Sequence, residues 1–410
     1  MLNRMRIAGG VLALIALAPA VRADAAVYEA QYKAEFRPDA GTIHVELKLS
    51  GEKLPGRIVL SVDPQRHRGF TSTDPIEVTS DAVTWRPRGK FSRLNYDFVV
   101  NHERAPGRYD SLMTKDWALF RGDRLVPRAA VRAVRGLESR ATLEFVAPAD
   151  WSVITPYAPA NTRHIGIDDP HRRFDRPAGW MLAGKLGNRA EKIAGVQATV
   201  AAPAGDSARR QDTLSFLNWN LPRLVEVFPA FPHRLLIVSA DDPMWRGGLS
   251  GPASLFLHSS RPLISENRTS ALLHELVHVA MRIHGDHESD WIVEGFAEFY
   301  SIETLRRSGG ISERRYEEAM QRLARWGARQ PDLFSKQSSG PQTARAVIVL
   351  KAADDEIRKL TKDRASLDDV ARELASRRGE VSLEMLQSIA QKIAGRPLQS
   401  LDRKKLSGVK

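Results

Sequence analysis

The feature that most constrains the fold is a mostly apolar segment, residues 269–280, which contains the sequence His274-Glu275-Leu276-Val277-His278. The segment has no Pro or Gly, and its pattern predicts a helix. At 3.6 residues per turn, His278 lies about 40° around the helix axis from His274, and Glu275 lies about 100° from it. Two imidazoles therefore share one face of an apolar helix, and a carboxylate lies at the edge of that face.

This geometry fits a catalytic zinc site. Two neutral imidazoles, His274 and His278, can hold the ion, while Glu275 stays outside the ligand set and takes a proton from water. The zinc ion lowers the pKa of a bound water to about 7 and polarises a scissile carbonyl. The alternative is a hydrogen-bonded pair in the core, because His and Glu are costly to bury without partners.

A catalytic zinc needs a third protein ligand, and Glu294 is the first candidate. It lies in a second predicted helix, which Ser289 or Asp290 caps, packed against the first. Glu298 follows one turn later, where it can accept a hydrogen bond from a ligand imidazole and fix its tautomer. For each carboxylate the alternative is a surface salt bridge.

The second candidate is His284, six residues after His278. Three-histidine sites with this spacing need a Gly midway to break the helix, and this chain has Met281 there. In an unbroken helix the His284 side chain points about 240° away from His278. Gly285 is the predicted stop signal of the helix, and His284 is predicted to lie in a loop or at the helix end.

The amino terminus predicts export. Arg4 and Arg6 precede an apolar run over residues 7–21, which is typical of a secretory signal peptide spanning residues 1–23. The run is shorter than the roughly 20 residues of a spanning helix, so no membrane span is expected after cleavage. The chain has no cysteine, which excludes disulfides, thiolate metal ligands and a cysteine nucleophile. We therefore predict a secreted, periplasmic protein of a Gram-negative cell.

The balance of residue types is that of a globular protein. Apolar residues make up 42% of the chain and charged residues 27%, which argues against wholesale disorder. The net charge is +12, and removing residues 1–23 with their three arginines leaves +9. Because the positive residues are scattered and no aromatic-basic motif accompanies them, no nucleic-acid partner is predicted.

The chain divides into segments of different pattern, which together predict an α+β fold. Residues 24–147 alternate in polarity and predict a β-rich amino-terminal domain. Residues 148–265 form a mixed α/β part, with strands expected at 195–201, 234–239 and 254–258 and a helix at 207–228. Residues 266–401 are predicted to be helical, with caps at Ser366, Ser382 and Gly395. Residues 402–410 form a basic tail that is expected to be disordered.

At His274, Glu275, His278 and Glu294 the sequence resembles the gluzincin zinc metallopeptidases, and within them the glycyl aminopeptidase-like family. Residues 291–297 are similar to the helix that supplies the family's third ligand, and weaker likenesses occur at residues 148–153, 355–358 and 366–370. The resemblance implies one zinc ion per chain. It also implies a β-sandwich-like amino-terminal domain, a thermolysin-like catalytic domain and a carboxy-terminal helical region.

The sequence departs from the family in three ways: only 15 residues separate His278 from Glu294, a few fewer than is usual, and two departures concern substrate binding and catalysis. The Gly247-Gly248-Leu249 bend resembles the family's substrate strand, but Ser250 stands where a Glu often anchors the substrate's amino terminus. The family's oxyanion-stabilising Tyr would fall near Gln342 or Thr343, and Tyr300 or Tyr316 is the substitute to consider. The resemblance also implies that substrate backbone pairs with an edge strand around residues 254–258.

The predicted function is a secreted zinc-dependent metallopeptidase that hydrolyses peptides or proteins, with aminopeptidase-like specificity left open. The alternative is a zinc-binding, peptidase-like protein with weak or no catalysis, which acts as a binding or envelope-assembly factor. The missing Tyr distinguishes the two, because loss of one oxyanion donor can lower a rate about 10²- to 10³-fold. The sequence makes no prediction of oligomeric state.

Overall fold

The structure is a computed structural model that describes residues 26–162, 164–167 and 173–408. The predicted signal peptide, residues 1–23, lies outside the described residues. Strands and helices are mixed along the described chain, which confirms the predicted α+β class. No helix in the described ranges combines the length and the apolarity needed to cross a membrane.

The first part of the chain is built almost entirely of β-strands. Its alternating pattern is confirmed in β2, where Ile43, Val45, Leu47 and Leu49 are buried and the residues between them face outward. In chain order the elements are β1 Val27–Arg37, β2 Thr42–Ser50, β3 Arg57–Ser61, β4 His67–Ser72, β5 Ile76–Val78, β6 Ala82–Trp85, β7 Phe91–Val99, β8 His102–Ala105, β9 Arg108–Met113, β10 Trp117–Arg121, the short helix α1 Gly122–Leu125, β11 Ala129–Arg132, β12 Glu138–Val146, β13 Ser152–Ile154, β14 His164–Ile167 and β15 Trp180–Gly184.

These strands form three sheets with the orders β14-β12-β1-β2-β7-β4, β13-β15-β10-β9-β8 and β11-β3-β6-β5. In the first, β1 runs parallel to β12 and antiparallel to β2. Pairing continues beyond residue 147, because β13 and β15 join the sheet of β10 and β14 pairs with β12. The domain boundary at residue 148 stays a prediction.

A second, mixed sheet supports the helices that carry His274 and Glu294. It contains β16 Leu186–Ile193, β17 Val196–Pro203, β18 Arg234–Val238, β19 Gly248–Gly251 and β20 Ser254–Leu257 in the order β16-β17-β18-β20-β19. Helix α2, Arg210–Val227, packs on it, and the strands and helix expected in this region are confirmed.

The edge of this sheet differs from the prediction. Strand β20 is an inner strand, parallel to β18 and antiparallel to β19. The expectation that residues 254–258 form the open edge is therefore wrong, and β19 forms it instead. The glycines of the 246–251 segment suggested a bend, but backbone pairing with β20 holds four of its residues in a strand.

The carboxy-terminal part is helical, as predicted. It comprises α3 Ala271–Met281, β21 Ile283–Gly285, α4 Asp290–Arg307, α5 Glu313–Gly327, α6 Gly340–Thr361, α7 Leu367–Arg377, β22 Gly379–Val381, α8 Leu383–Ala394 and α9 Arg403–Leu406. Ser366 and Ser382 cap α7 and α8, and Gly395 ends α8 in the left-handed conformation, so the three predicted caps are confirmed.

The predicted disorder of the basic tail is wrong as far as residue 408. Asp402 accepts hydrogen bonds from the backbone N–H groups of Lys404 and Lys405 and so caps α9. Leu406 is buried, and the Arg345 guanidinium donates to the carbonyl of Lys405 at 2.6 Å. The cap, the buried Leu406, the Arg345 hydrogen bond and the ion pair of Arg403 with Glu288 together oppose the entropic cost of ordering this segment.

Helix α4 approaches α6 closely at Gly295. A Cβ atom at Gly295 would lie 2.7 Å from Cβ of Ala346 and 3.2 Å from a methyl of Leu350. We expect Gly295→Ala to lower the free energy of unfolding by about 1–3 kcal/mol, because overpacking outweighs the gain in helix propensity. Urea denaturation measures the change. Gly166→Ala, where an added Cβ meets nothing within 4 Å, is the control, and Gly295→Ala combined with Ala346→Gly should recover stability.

Partly buried ion pairs connect the carboxy-terminal end of α4 to α7. The Arg307 guanidinium donates to Glu303 at 2.8 Å and to Asp368 at 2.7 Å, and the Tyr300 hydroxyl donates to Asp368 at 2.9 Å. Burial alone would raise the pKa of the Asp368 carboxyl, but the hydrogen bonds and charge of Arg307 outweigh burial and lower it. Burial alone would also raise the pKa of Glu303, but the hydrogen bonds and charges of Arg306 and Arg307 outweigh burial and lower it.

These lowered pKa values predict a pH dependence of stability. A carboxylate with a depressed pKa stabilises the fold fully above its unfolded pKa of about 4, and this contribution is lost as the pH falls through the folded pKa. We expect the free energy of unfolding to fall between about pH 5 and about pH 3, and to fall less steeply in Asp368→Asn. Asp363→Asn, at a carboxylate that is 81% exposed, should keep the wild-type slope. Equal slopes in wild type and Asp368→Asn would contradict the assignment.

Candidate metal centre

Helix α3 places two imidazoles side by side. Its start is fixed by Ser270, whose hydroxyl accepts the N–H of Leu273 and whose carbonyl accepts the hydroxyl of Ser301 on α4. The i,i+4 spacing brings Nε2 of His274 to 3.1 Å from Nε2 of His278. Both rings are partly buried, with side-chain exposures of 18% and 16%.

The helix ends earlier than its glycine suggests. It stops at Met281, and Arg282 adopts the left-handed conformation with φ 52° as the cap. The prediction that Gly285 stops α3 is wrong. Gly285 instead allows a close approach, because a Cβ there would lie 2.5 Å from the backbone of Ser289 and Asp290 at the start of α4.

His284 lies apart from the imidazole pair. It is the exposed middle residue of β21, which pairs in parallel with β22. Because the chain leaves α3 through the left-handed Arg282, His284 no longer follows the helical path. Within the described ranges, the group of side chains close enough to share a metal ion consists of His274, His278 and Glu294.

Glu294 comes from the first turns of α4. Its Oε2 lies 3.3 Å from Nε2 of His274, and its Oε1 lies 3.5 Å from Nε2 of His278. One ligand atom from each of the three residues falls within 4.8 Å of the others. Two imidazole nitrogens and one carboxylate oxygen are a donor set that suits zinc, so the residues present fit the ion that the sequence predicts.

Glu298 holds the first imidazole from behind. Its Oε2 lies 3.0 Å from Nδ1 of His274, one turn beyond Glu294 on the same helix. A carboxylate in this position keeps the proton on Nδ1 and leaves Nε2 free to bind a metal. Together with Glu275, these residues complete the set of five that the sequence predicts for the site. They are His274, Glu275, His278, Glu294 and Glu298.

Glu275 lies between α3 and the edge strand β19. It is only 9% exposed, and the backbone N–H and hydroxyl of Ser250 face its carboxylate and partly offset the rise in pKa that burial causes. A Cβ at Gly248 would lie 2.8 Å from Cγ of Glu275 and 3.0 Å from its Oε1. Glycine at position 248 thus leaves the space that the Glu275 side chain occupies.

The charged and buried groups of the centre shift one another's pKa values. Burial alone would lower the pKa of His274, but the carboxylates of Glu294 and Glu298 outweigh burial and raise it well above its usual value. Burial and the neighbouring His274 lower the pKa of His278 to about 4. Burial also raises the pKa of Glu275. The carboxylates that favour a proton on His274 equally favour a metal cation between the rings.

The candidate oxyanion donors are engaged elsewhere. Tyr300 is fully buried and donates to Asp368, and Tyr316 is buried beneath the Arg306 guanidinium. Gln342 completes the capping box of α6, and its amide donates to the hydroxyl of Ser335. Each of these three side chains therefore has a structural role, and the structure gives neither Tyr a place beside the imidazoles.

Sequence reasoning missed two residues that hold the edge strand from the β-rich side. The Trp180 indole donates to the carbonyl of Leu249 at 2.7 Å, and the Arg121 guanidinium donates to the carbonyl of Ser250 at 3.2 Å. Arg121 is the last residue of β10 and Trp180 is the first residue of β15, and these two strands pair with each other. Sequence alone gives no signal for either contact, because each joins residues far apart in the chain.

No family model matches the sequence, and no curated protein is similar to it in sequence. Solved structures do share its fold. An aminopeptidase N family protein from Idiomarina loihiensis matches with a TM-score of 0.66 at 14% identity, covering 85% of this chain and 70% of that one.

Two crystal structures from Deinococcus radiodurans match over more of their length. An M1 zinc metallopeptidase has a TM-score of 0.61 at 16% identity, and a Glu-to-Ala mutant bound to a Tyr-Ser-Ala substrate has a TM-score of 0.60 at 16% identity. Each match covers 94% of both chains. Because the identities are low, these likenesses concern the fold, and the chain has the fold of the M1 zinc metallopeptidases.

Proposed function

We propose that the protein is a zinc-dependent metallopeptidase in which His274, His278 and Glu294 hold one zinc ion. The observation that carries the proposal is the convergence of these three side chains beside the buried carboxylate of Glu275. When bound there, zinc supplies a Lewis acid that activates water and polarises a peptide carbonyl near neutral pH. The shared fold of M1 zinc metallopeptidases supports the same assignment.

Glu275 is the proposed general base. It lies next to His274 in sequence but outside the three-ligand group, and burial raises the pKa of its carboxyl. A carboxylate of raised basicity takes a proton from the attacking water and returns it to the leaving amine. The backbone N–H and hydroxyl of Ser250 face the Glu275 carboxylate, and Glu298 orients the ring of His274.

Substrate backbone is proposed to add to the open edge of β19. The carbonyl of Gly247 accepts the N–H of His258, so pairing alternates along the strand and Gly248 points its N–H and C=O outward. An extended peptide can form main-chain hydrogen bonds at this position, next to Glu275. A Deinococcus radiodurans neighbour is described with a bound Tyr-Ser-Ala substrate, and another neighbour with L-arginine, which supports peptides as the substrate class.

Strict aminopeptidase activity is not part of the proposal. Position 250 holds a Ser, whose hydroxyl carries no charge to bind a substrate ammonium group. The hydroxyl also faces Glu275. We further propose that residues 1–23 direct the chain to the periplasm and are removed there.

The test is to incubate residues 24–410, supplied with zinc, with a mixture of peptides and to identify the products by mass spectrometry. New termini within or at the ends of peptides, abolished by a zinc chelator, are expected. The position of the cuts distinguishes exopeptidase from endopeptidase action. An absence of any cleavage by the zinc-loaded protein would contradict the proposed activity.

A second candidate function is a zinc-binding protein with little catalysis. The observation that favours it is Gln342, a buried helix cap at the position where the resemblance places an oxyanion-stabilising Tyr. This candidate predicts stoichiometric zinc without cleavage of the peptide mixture. The metallopeptidase proposal is preferred because a buried carboxylate outside the ligand group, such as Glu275, serves no purpose in a purely structural zinc site.

A further inference from the structure

A groove lined by arginines lies in the β-rich part of the chain and reaches Leu249 and His284 of the part that carries the candidate metal centre. It consists of two adjoining cavities of about 760 Å³ and about 530 Å³, which share Arg128 and Arg176. Leu249 of the edge strand β19 lines one end, and His284, which follows α3, lines the other. We call this space the arginine groove.

The charge of the groove is positive. Among the described residues that line it, seven are arginines and four are aspartates. The aspartates are already engaged: Asp123 with Arg121, Asp110 with His102, and Asp63 and Asp81 with neighbouring polar groups. Arg124 and Arg128 are exposed and have no carboxylate within 4.0 Å in the described part of the chain.

Arg66 is a buried cation that lines the arginine groove. It is only 6% exposed, yet its guanidinium donates to neutral acceptors, the carbonyl of Val100 at 2.9 Å and the hydroxyl of Ser111 at 3.1 Å among them. In the described chain no carboxylate oxygen lies within 4.0 Å of it. Burial, opposed by the charge of Asp110 and reinforced by that of Arg124, lowers the pKa of Arg66 to about 10. A buried cation without an anionic partner is costly, and an anionic ligand would offset that cost.

The groove borders the proposed catalytic strand. Arg121, one of its lining residues, donates to the carbonyl of Ser250, and Ser250 in turn faces the Glu275 carboxylate. Trp180, another lining residue, donates to the carbonyl of Leu249. A peptide that extends along β19 therefore passes the mouth of the arginine groove.

We propose that the arginine groove binds carboxylate side chains of an acidic peptide, so that the preferred substrates are rich in Asp and Glu. That the bound peptide is a substrate rests on the proposed function, but the binding itself does not require catalysis. Guanidinium groups pair with carboxylates through two parallel hydrogen bonds, which suits a wall of arginines to acidic side chains. The positive field also attracts such peptides from solution.

The test measures binding separately from cleavage. A short rhodamine-labelled peptide of alternating Glu and Ala, and its counterpart with Gln in place of Glu, are titrated with residues 24–410 carrying Glu275→Gln, and fluorescence anisotropy is recorded. We expect the Glu peptide to bind at least about 10-fold more tightly, which corresponds to one or two charge-assisted contacts. The difference should shrink as salt rises to about 0.15 M.

The variant is Arg124→Gln combined with Arg128→Gln, both at exposed side chains whose loss leaves the core intact. It should reduce binding of the Glu peptide about 10-fold. Arg189→Gln, at an exposed arginine of β16 away from the groove, should not change binding. Equal affinity for both peptides, or unchanged binding in the double variant, would overturn the proposal.

Two further results separate this inference from its premise. Free glutarate serves as a competitor. If glutarate displaces the Glu peptide only at high concentration, the result supports a peptide ligand. Tight binding of glutarate without binding of the peptide would refute the proposal. Cleavage of peptides with no preference for Glu over Gln would overturn the inference and leave the peptidase proposal standing. Binding of the Glu peptide by a zinc-loaded wild type that cleaves no member of the peptide mixture would support the groove and refute the peptidase proposal.

Discussion

Replacing Glu275 by Gln is expected to lower the rate of peptide hydrolysis by about 10²- to 10⁴-fold, the contribution typical of a general base. The amide keeps the shape of the side chain but cannot accept a proton from water. Zinc content should remain at the wild-type level, because Glu275 lies outside the group formed by His274, His278 and Glu294.

The Glu275 prediction is checked by initial rates on one peptide and by metal analysis of the same samples. Glu266→Gln, a change at an exposed carboxylate outside the site, is the matched control and should keep the wild-type rate. Undiminished hydrolysis in Glu275→Gln would show that another group is the base. Loss of zinc in that variant would show that Glu275 belongs to the metal-binding set.

The second large effect is expected at the third ligand. Glu294→Gln removes the charge of the carboxylate whose oxygens lie 3.3 and 3.5 Å from the Nε2 atoms of His274 and His278. We expect the affinity for zinc to fall by more than about 100-fold. Glu298→Gln weakens only the hydrogen bond to Nδ1 of His274, so a smaller loss of about 10- to 100-fold is expected.

Competition with a chromophoric chelator measures these affinities. His284→Ala is the matched control, since His284 lies on β21 apart from the three-ligand group, and it should bind zinc as the wild type does. A wild-type affinity in Glu294→Gln, or a large loss in His284→Ala, would reverse the choice between the two candidate ligands.

The sequence predicted the parts of the site that depend on local geometry. His274 and His278 share a helical face because of their spacing, and Glu294 and Glu298 do so one turn apart on α4. Helix caps at Ser366 and Ser382 were equally predictable, because a cap involves residues three or four positions apart. Sequence could not establish that the faces of α3 and α4 meet, and the structure supplies that contact.

The errors concern contacts between distant residues. A strand pattern does not say whether the strand has one neighbour or two, so the sequence predicts an edge at β20, whereas β19 forms the edge of the sheet. Gly285 resembled a helix stop, whereas its small size is needed where β21 meets the start of α4. The arginine groove gathers Arg66, Arg121 and Arg176 from separate strands and loops, and no sequence window contains them together.

The most direct test of the central claim is a zinc titration of peptide hydrolysis. Metal is first stripped from residues 24–410 with a chelator, the chelator is removed, and hydrolysis of one peptide is followed as zinc is added. The proposed site predicts no hydrolysis without metal and a linear rise that ends at one zinc ion per chain. Hydrolysis that persists in the stripped protein, or that never appears at any zinc concentration, would contradict a zinc peptidase built on His274, His278 and Glu294.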